Sequence, residues 1–433
     1  MIQVIRPITI ALKGKGPIAL MKRVGSITKR YGVNAGKMDR ALNQLSRLLQ
    51  EFDCRGTFPI TAVALARNRA VIQKYQAQGI EFAIHGYRHI DYSQLSQEEQ
   101  VVHIRKANQI FQEQGIHCEG FRCPYLRWNK ETLTTLSKVS LAYDSSNSLV
   151  WNIDERHYTD SYHRAIEFYG AQSAGDYPAI PRLDVETNLV RIPYCLPDDE
   201  SLIERLVWRS SAEMNAIWPA MFREIHQQGE LFNLGLHPER TIECAEGLRA
   251  TMQVIHAIAP EVWRARLDEI AQWWQKRYYT QIDVIKMNDH QLQLSINGPK
   301  GTTLLLRSLE AKTATVPWFD NYQRASEIPC VIQTDKRPFI GVSPESAPYL
   351  ASFLKQQGYI VEISSEATSY SLYLDRPTFP REKERSLIAQ IEGQSVPLAR
   401  LGRWPHGTRS AFCVTGDIDA LTVLDYALRF IGY

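Results

Sequence analysis

The sequence has no strong excess of charge of one sign, no long apolar run, no repeat and no paired cysteines. Lysine plus arginine number 50 against 47 acidic residues, a net charge of +3, which excludes a dedicated nucleic-acid binder. Seven cysteines, at 54, 118, 123, 195, 244, 330 and 413, are odd in number and form no Cys-x-x-Cys pair. That spacing excludes a zinc ribbon or a disulfide framework and fits a reducing compartment. No apolar run approaches the roughly 18 residues that a membrane-spanning helix needs. The stretch Ile8–Leu12 follows Pro7 and leads into Lys13-Gly14-Lys15-Gly16-Pro17, without the length or small-residue site of a secretory leader. The expected location is cytoplasmic. The remaining composition, 44% hydrophobic, 22% charged and 10% aromatic, is globular and excludes disordered, collagen-like and coiled-coil classes. At 433 residues, two or three domains are expected.

A local absence is sharper. Residues 1–37 contain no aspartate or glutamate, and residues 1–40 hold nine basic side chains (Arg6, Lys13, Lys15, Lys22, Arg23, Lys29, Arg30, Lys37, Arg40) with Asp39 as the one acid. One reading is a solvated helical face. The other is an anion-binding face for phosphate-bearing lipid or substrate.

What is present is strand–helix alternation over 38–275. Leu42, Leu45, Leu48 and Leu49 share one face of a predicted helix Met38–Phe52. There follow strand Thr57–Thr61, helix Asn68–Gln78, strand Glu81–His85, helix Ser96–Gln114, strand Glu119–Cys123, helix Lys130–Lys138 and strand Leu141–Asp144. Strand Leu189–Leu196, a long helix over 200–228, strand Leu231–His237 and helix Glu246–Ile258 continue the pattern. Such alternation predicts a parallel α/β barrel or open sheet. Asp283–Leu309 then predicts an antiparallel ribbon turning at Asn297-Gly298, and residues 330–375 a small βαβ unit. A helix Lys383–Ile391, a strand Ala411–Thr415 and a terminal helix Leu421–Ile431 close the chain.

Four places carry candidate chemistry. His85-Gly86-Tyr87-Arg88-His89 follows a strand, and two imidazoles plus one carboxylate make a three-ligand metal site; a surface histidine pair is the plain alternative. Arg122-Cys123-Pro124-Tyr125 ends the next strand, where Arg122 either orients a carboxylate or is structural. His237 closes the apolar strand Leu234-Gly235-Leu236, as a general acid or as a core histidine. Asp417-Ile418-Asp419 places two carboxylates on one side of the chain, suited to metal binding and proton transfer, to a glycosyltransferase metal site, or to a solvated loop.

His85-x-x-x-His89, Arg122-x-Pro124-Tyr125, Asp144 in Tyr143-Asp144-Ser145-Ser146 and Leu234-x-Leu236-His237 together resemble, in order and spacing, four motifs of the polysaccharide deacetylases. This is the NodB-homology group, carbohydrate esterase family 4, and the resemblance covers roughly 38–260. Gly86 stands where the family usually has serine or threonine. The family's first motif, normally Thr-Phe-Asp-Asp on the first strand, has its match only in Thr415-Gly416-Asp417-Ile418-Asp419 near the C-terminus. The resemblance therefore implies a distorted (β/α) barrel that is circularly permuted. Residues 1–274 with 405–433 would form it, with a β-rich segment 275–329 and a small α/β module 330–404 as accessory regions. Two rivals for the first-strand slot are Val4–Leu12 and the C-terminal strand of a neighbouring protomer.

What the resemblance implies for function is hydrolysis of the N-acetyl group of an amino-sugar-containing carbohydrate. Asp419, His85 and His89 would hold a divalent metal, Zn2+ by the resemblance. Asp417 would be the general base, held by Arg122, and the Tyr125 backbone N–H would stabilise the oxyanion. His237 would be the general acid, bonded to Asp144. Leu236 would seat the acetyl methyl, and Trp128 and Trp151 would stack on a sugar or else be core residues. A cytoplasmic or lipid-linked intermediate suits the basic N-terminal segment, through which the chain would touch a membrane surface. The alternatives are hydrolysis of another non-peptide C–N bond on the same barrel and a catalytically silent carbohydrate-binding or scaffold protein.

Overall fold

Apolar spacing in the sequence becomes burial in the structure from the first helix onward. The computed structural model describes residues 27, 30–155, 158–206, 208, 212–258 and 261–428. Helix Gly36–Glu51 turns Leu42, Leu45, Leu48 and Leu49 into the largest core cluster. Its predicted bounds were Met38–Phe52, so only the ends moved. Val4–Leu12 and most of the basic N-terminal segment lie outside the described residues.

The first eleven strands are short and mostly buried. They are β1 Gly56–Ile60, β2 Glu81–Ile84, β3 Gly120–Phe121, β4 Tyr143–Asp144, β5 Ser148–Val150 and β6 Gln172–Ser173. They continue with β7 Arg182–Asp184, β8 Leu189–Arg191, β9 Tyr194–Leu196, β10 Leu231–Leu236 and β11 Val262–Arg264. The accessory strands are β12 Gln281–Asn288, β13 Gln291–Asn297, β14 Leu304–Arg307, β15 Glu310–Ala311, β16 Thr315–Pro317 and β17 Tyr322–Ala325. Then come β18 Cys330–Gln333, β19 Arg337–Val342, β20 Val361–Ile363, β21 Tyr370–Leu374, β22 Leu398–Leu401 and, last, β23 Ser410–Gly416.

The main sheet runs β6-β5-β9-β10-β23-β1-β2-β3-β4-β8-β7, with β11 paired to β23. It is parallel except where β7 meets β8, and it curls into a half-barrel flanked by helices. β23 sits in its middle. It pairs with β10 from Leu231↔Ala411 to Leu236↔Gly416, and with β1 at Gly56↔Val414 and Thr57↔Thr415. Every residue of β23 is buried, as a strand covered on both faces must be. The slot beside β1 is thus filled by the chain's own last strand.

Several expectations shift for local reasons. The predicted strand Leu189–Leu196 divides into β8 and β9 at Ile192-Pro193; proline has no N–H to give a ladder. The predicted helix over 200–228 divides into a turn of π-helix at Ser201–Arg205 and an α-helix Ala212–Gln228. The hairpin of β12 and β13 turns at Asp289-His290, not at Asn297-Gly298. Gly298 is needed for another reason: a Cβ there would lie 2.6 Å from Thr280 Oγ1. Helices Asp160–Tyr169 and Leu267–Tyr278 were not anticipated.

The accessory region has its own apolar clusters, one around Phe353, Leu354 and Leu372 and one around Leu294, Leu304 and Ile332. It joins the half-barrel through polar anchors: Glu384 meets Arg182, and the Leu183 N–H donates to Gln356 Oε1 at 2.7 Å. Trp404 is fully buried against Trp274 and Trp263, and its Nε1–H donates to the Gly229 carbonyl at 3.0 Å. This pins the segment that leads into β23. Among the described residues no helix is long and apolar enough to cross a membrane.

Candidate active site

In a parallel sheet the carboxyl ends of neighbouring strands gather at one rim, and that rim carries the chemistry of such folds. Here β2 ends into His85, β3 into Arg122, β10 into His237 and β23 into Asp417. Backbone bonds fix the Asp-x-Asp loop: the Asp417 N–H donates to the Leu236 carbonyl (3.1 Å) and the Ile418 N–H to that of Pro59 (2.7 Å). The Thr61 hydroxyl donates to the Asp419 carbonyl at 3.1 Å.

His85, His89 and Asp419 converge, with one potential ligand atom from each all within 4.8 Å of one another. Asp419 Oδ1 lies 3.1 Å from His89 Nε2 and 3.6 Å from His85 Nε2. His85 Nδ1 lies 3.0 Å from the Arg122 carbonyl, an acceptor only, so Nδ1 carries the proton. Burial pushes the His85 ring down to about 4, overriding the pull of Asp417 and Asp419. Its Nε2 is then an unprotonated lone pair facing carboxylate oxygens of Asp419 and, at 3.9 Å, Asp417. Acceptors aimed at one another in a buried site repel, and a cation removes that repulsion. The donor set of two imidazoles and one carboxylate, with the second ring nitrogen of His85 anchored, fits a divalent metal site.

The Gly86 backbone has φ +79°, and a Cβ there would come within 2.9 Å of the Tyr92 ring. Glycine in place of serine or threonine is what this corner requires. The Tyr87 N–H donates instead to the Tyr92 hydroxyl at 3.0 Å.

Asp417 is held from the other side. Arg122 Nη1 donates to Asp417 Oδ1 at 2.6 Å and to Thr415 Oγ1 at 3.0 Å, while its Nε and Nη2 bond Ser145. The guanidinium is buried and lies over the Tyr194 ring at 4.7 Å. Tyr125 adopts φ 60°, a left-handed conformation uncommon for a side chain of that size, and its ring meets His89 edge-on at 4.4 Å. Sparsely populated backbone of this kind persists where surrounding contacts over-determine it.

His237 has a different partner from the expected one. Its Nδ1 lies 2.8 Å from Asp199 Oδ1, and its backbone N–H donates to Asp199 Oδ2 at 2.7 Å. Burial alone would lower the His237 pKa, but the Asp199 carboxylate outweighs it and holds the ring well above the ordinary histidine value. Asp199 is held low by the same pair despite its burial. The adjacent Asp198, pushed up to about 6 by burial and by Asp199, accepts from the Tyr194 hydroxyl at 2.8 Å.

Asp144 does not reach His237. It sits in register with Arg191 on β8, whose Nε lies 3.5 Å from Asp144 Oδ2, and Ser146 bonds its other oxygen. The tryptophans are also elsewhere. Trp128 lies under the Arg191 guanidinium at 3.8 Å, and Trp151 is buried to 1% exposure; neither lines the cavity. Leu236 is buried within β10, and the apolar wall is supplied by Leu126 and Phe168.

These groups face one cavity of about 510 Å3. His85, His89, Asp417, Asp419, Tyr125 and His237 all line it. Both ends of the chain help to wall it, through Arg30 and Tyr426. Arg30 and the Tyr31 hydroxyl bond Glu239, and Gly32 bridges Thr422. Arg30 is thus one charge of the basic segment that faces the site.

Comparison with known proteins finds one family match and several solved structures. The family model for polysaccharide deacetylase matches residues 33–143. Among solved structures, a Mycobacterium smegmatis protein assigned as a polysaccharide deacetylase is 21% identical, with TM-score 0.44, covering 61% of this chain and 85% of that one. A Pseudomonas aeruginosa PAO1 protein assigned likewise is 22% identical, with TM-score 0.43, covering 54% and 72%. Puue allantoinase is 19% identical, with TM-score 0.42, covering 54% and 72%. No curated protein matches the sequence. Over the region that supplies His85, His89, Arg122 and Tyr125, the chain resembles the polysaccharide deacetylase family.

Proposed function

We propose that the protein is a metal-dependent deacetylase that hydrolyses the N-acetyl group of an amino-sugar-containing carbohydrate. The observation that carries this is the convergence of His85, His89 and Asp419 beside the Arg122–Asp417 and Asp199–His237 pairs. His85, His89 and Asp419 would hold a divalent cation, Zn2+ by the family resemblance, which would supply Lewis-acid polarisation of the acetyl carbonyl.

The chain's own groups do the rest. Asp417 takes the proton from the attacking water at Oδ2, because Oδ1 is committed to Arg122. Arg122 orients that carboxylate through its 2.6 Å bond to Oδ1. The Tyr125 backbone N–H donates to the oxygen on which negative charge develops. His237, with Nδ1 held by Asp199, donates from Nε2 to the departing amine. Leu126 and Phe168 give the acetyl methyl an apolar wall. In the same reading the Asp-x-Asp strand is the family's first strand, displaced to the end of the chain by circular permutation. The basic residues of 1–40 other than Arg30 support contact with an anionic membrane surface that presents a lipid-linked, cytoplasmic substrate.

The test is acetate release from a panel of N-acetylated sugars, by the purified protein with and without chelator. The reading requires chelator-sensitive release that Asp417→Asn abolishes. Release that survives Asp417→Asn rejects the mechanism, and release of ammonia or another amine without acetate points to a different C–N bond. A chain that binds acetylated sugar but releases nothing is a silent binder.

A further inference from the structure

A second cavity, of about 400 Å3, lies far from the Asp-x-Asp rim, between the half-barrel and the accessory region. It opens beside Gln227–Glu230 and Arg409. These residues precede β10 and β23, the two strands whose other ends carry His237 and Asp417. At about 3.3 Å per residue, six-residue β10 separates the two ends by ~20 Å.

Four arginines line it: Arg385, Arg400, Arg403 and Arg409. Three carboxylates line it with them, and each already has a partner. Glu230 pairs with Arg385 at 3.0 Å, Asp320 with Arg409 at 2.8 Å and Glu392 with Arg400 at 2.8 Å. Glu392 is also shared with Arg307, at 2.9 Å. Arg403 bonds only neutral oxygens, on Gln228, Gly229 and Gln357. Buried Arg277 likewise bonds only neutral oxygens, on Gln356 and Gly402. Burial and mutual repulsion lower both groups, Arg277 to about 9 and Arg403 to about 10. Arg400, at 7% exposure, keeps an Nε with no hydrogen-bond partner among the described residues.

A structural duty explains part of this cluster. Arg403 and Arg409 cap the last carbonyls of helix Ala212–Gln228, and Arg277 and Arg400 those of helix Pro348–Gln357. A helix C-terminus presents only about half a negative charge. Two such ends and three carboxylates do not neutralise the six guanidiniums of the cluster, four on the cavity wall and Arg277 and Arg307 behind it, so the cluster keeps a positive surplus. Trp318 and Tyr322 also line the cavity, with Arg409 over the first ring and Arg400 over the second.

We infer that this cavity is a binding site for a small phosphate-bearing molecule, distinct from the candidate active site. Guanidiniums that arrive from several directions suit a group with several acceptor oxygens and nearly two negative charges. Ala389, exposed at the rim, offers a way to close the cavity without touching the arginines.

The experiment is titration calorimetry of the full chain with inorganic phosphate and with glucose 6-phosphate, against chloride at matched ionic strength. Thermal midpoints are followed in parallel. Both phosphates are expected to bind and to raise the midpoint, the ester at least as tightly as the free ion. Ala389→Trp is expected to abolish binding with its own midpoint intact. Arg385→Gln is expected to raise Kd by about tenfold or more, as loss of a charge-assisted bond does. Matched chloride giving the same stabilisation, or Ala389→Trp and Arg385→Gln leaving Kd unchanged, overturns the site.

Discussion

At the residue scale, the most informative pair is His237 with Asp199. Asp199 raises the His237 pKa, so the ring stays protonated through neutral pH and loses its proton as pH rises through the raised value. Removing the carboxylate as Asp199→Asn lowers that value. The alkaline limb of the acetate-release profile then moves to lower pH, measured as kcat against pH. His237→Ala removes the limb together with about 10²–10⁴ of the rate, the usual worth of a positioned general acid. The same pair contributes to stability. A raised folded pKa gives stability that is complete below about 6.5 and is lost as pH rises through the folded value. Asp199→Asn therefore costs most at acid to neutral pH, of order 3 kcal/mol for a broken buried pair, and urea midpoints at pH 6 and pH 9 read the difference.

Asp199 was missed in the sequence for a physical reason. It lies 38 residues before His237, in the helical turn that opens just after β9, and no periodicity links the two. Asp144 has the family's motif position, but its neighbour across β4 and β8 is Arg191, and only the sheet register reveals that. The available signal was Asp198-Asp199 directly after an apolar strand, since strand ends gather at one rim. The residues that were legible, His85, His89, Arg122, Tyr125, Asp417 and Asp419, all follow strands visible as short apolar runs. Singly they were weak signals, and their combined resemblance to polysaccharide deacetylase motifs carried the reading.

At the element scale, β23 does two jobs: it fills the centre of the sheet and delivers Asp417 and Asp419. Anything that loosens it should cost stability and the site together. Trp404 anchors its approach, fully buried among Trp263, Trp274 and Gly229. Trp404→Ala is expected to cost about 3–5 kcal/mol, as for other buried tryptophans, with divalent-metal affinity falling in parallel. A stable Trp404→Ala variant with native metal affinity would uncouple anchor and site. On β10, a Cβ at Gly235 would lie 1.7 Å from the Tyr194 hydroxyl oxygen, and Tyr194 supports the Arg122 guanidinium from below. Gly235→Ala is expected to destabilise by about 1–3 kcal/mol, the range for overpacking, read as a lowered thermal midpoint. Element type was legible wherever one face was apolar. Boundaries that depend on proline and on partner strands, such as the break between β8 and β9, were not.

At the scale of the whole molecule, the chain's last described strand lies between strands from its first and middle parts. The near-neutral net charge of +3 hides the arrangement, since basic residues cluster at one end and the Asp-x-Asp carboxylates lie at the other. The structure places Arg30 from the first group in the wall of the cavity that holds the second. Because Asp419 meets His85 and His89 of its own chain, the proposed site needs no second protomer. Mixing Asp419→Ala with His237→Ala protein should therefore restore no acetate release, and restored release would mean that strands are exchanged between chains.

The central claim is that the C-terminal Asp-x-Asp strand completes a metal site with two histidines more than three hundred residues earlier in the sequence. Metal content per chain, measured by plasma mass spectrometry after gel filtration, tests it most directly. The account predicts about one divalent ion per chain for the native protein, and loss of that ion in Asp419→Ala and in His89→Ala while circular dichroism stays native. An ion retained at full stoichiometry in folded Asp419→Ala protein would contradict it.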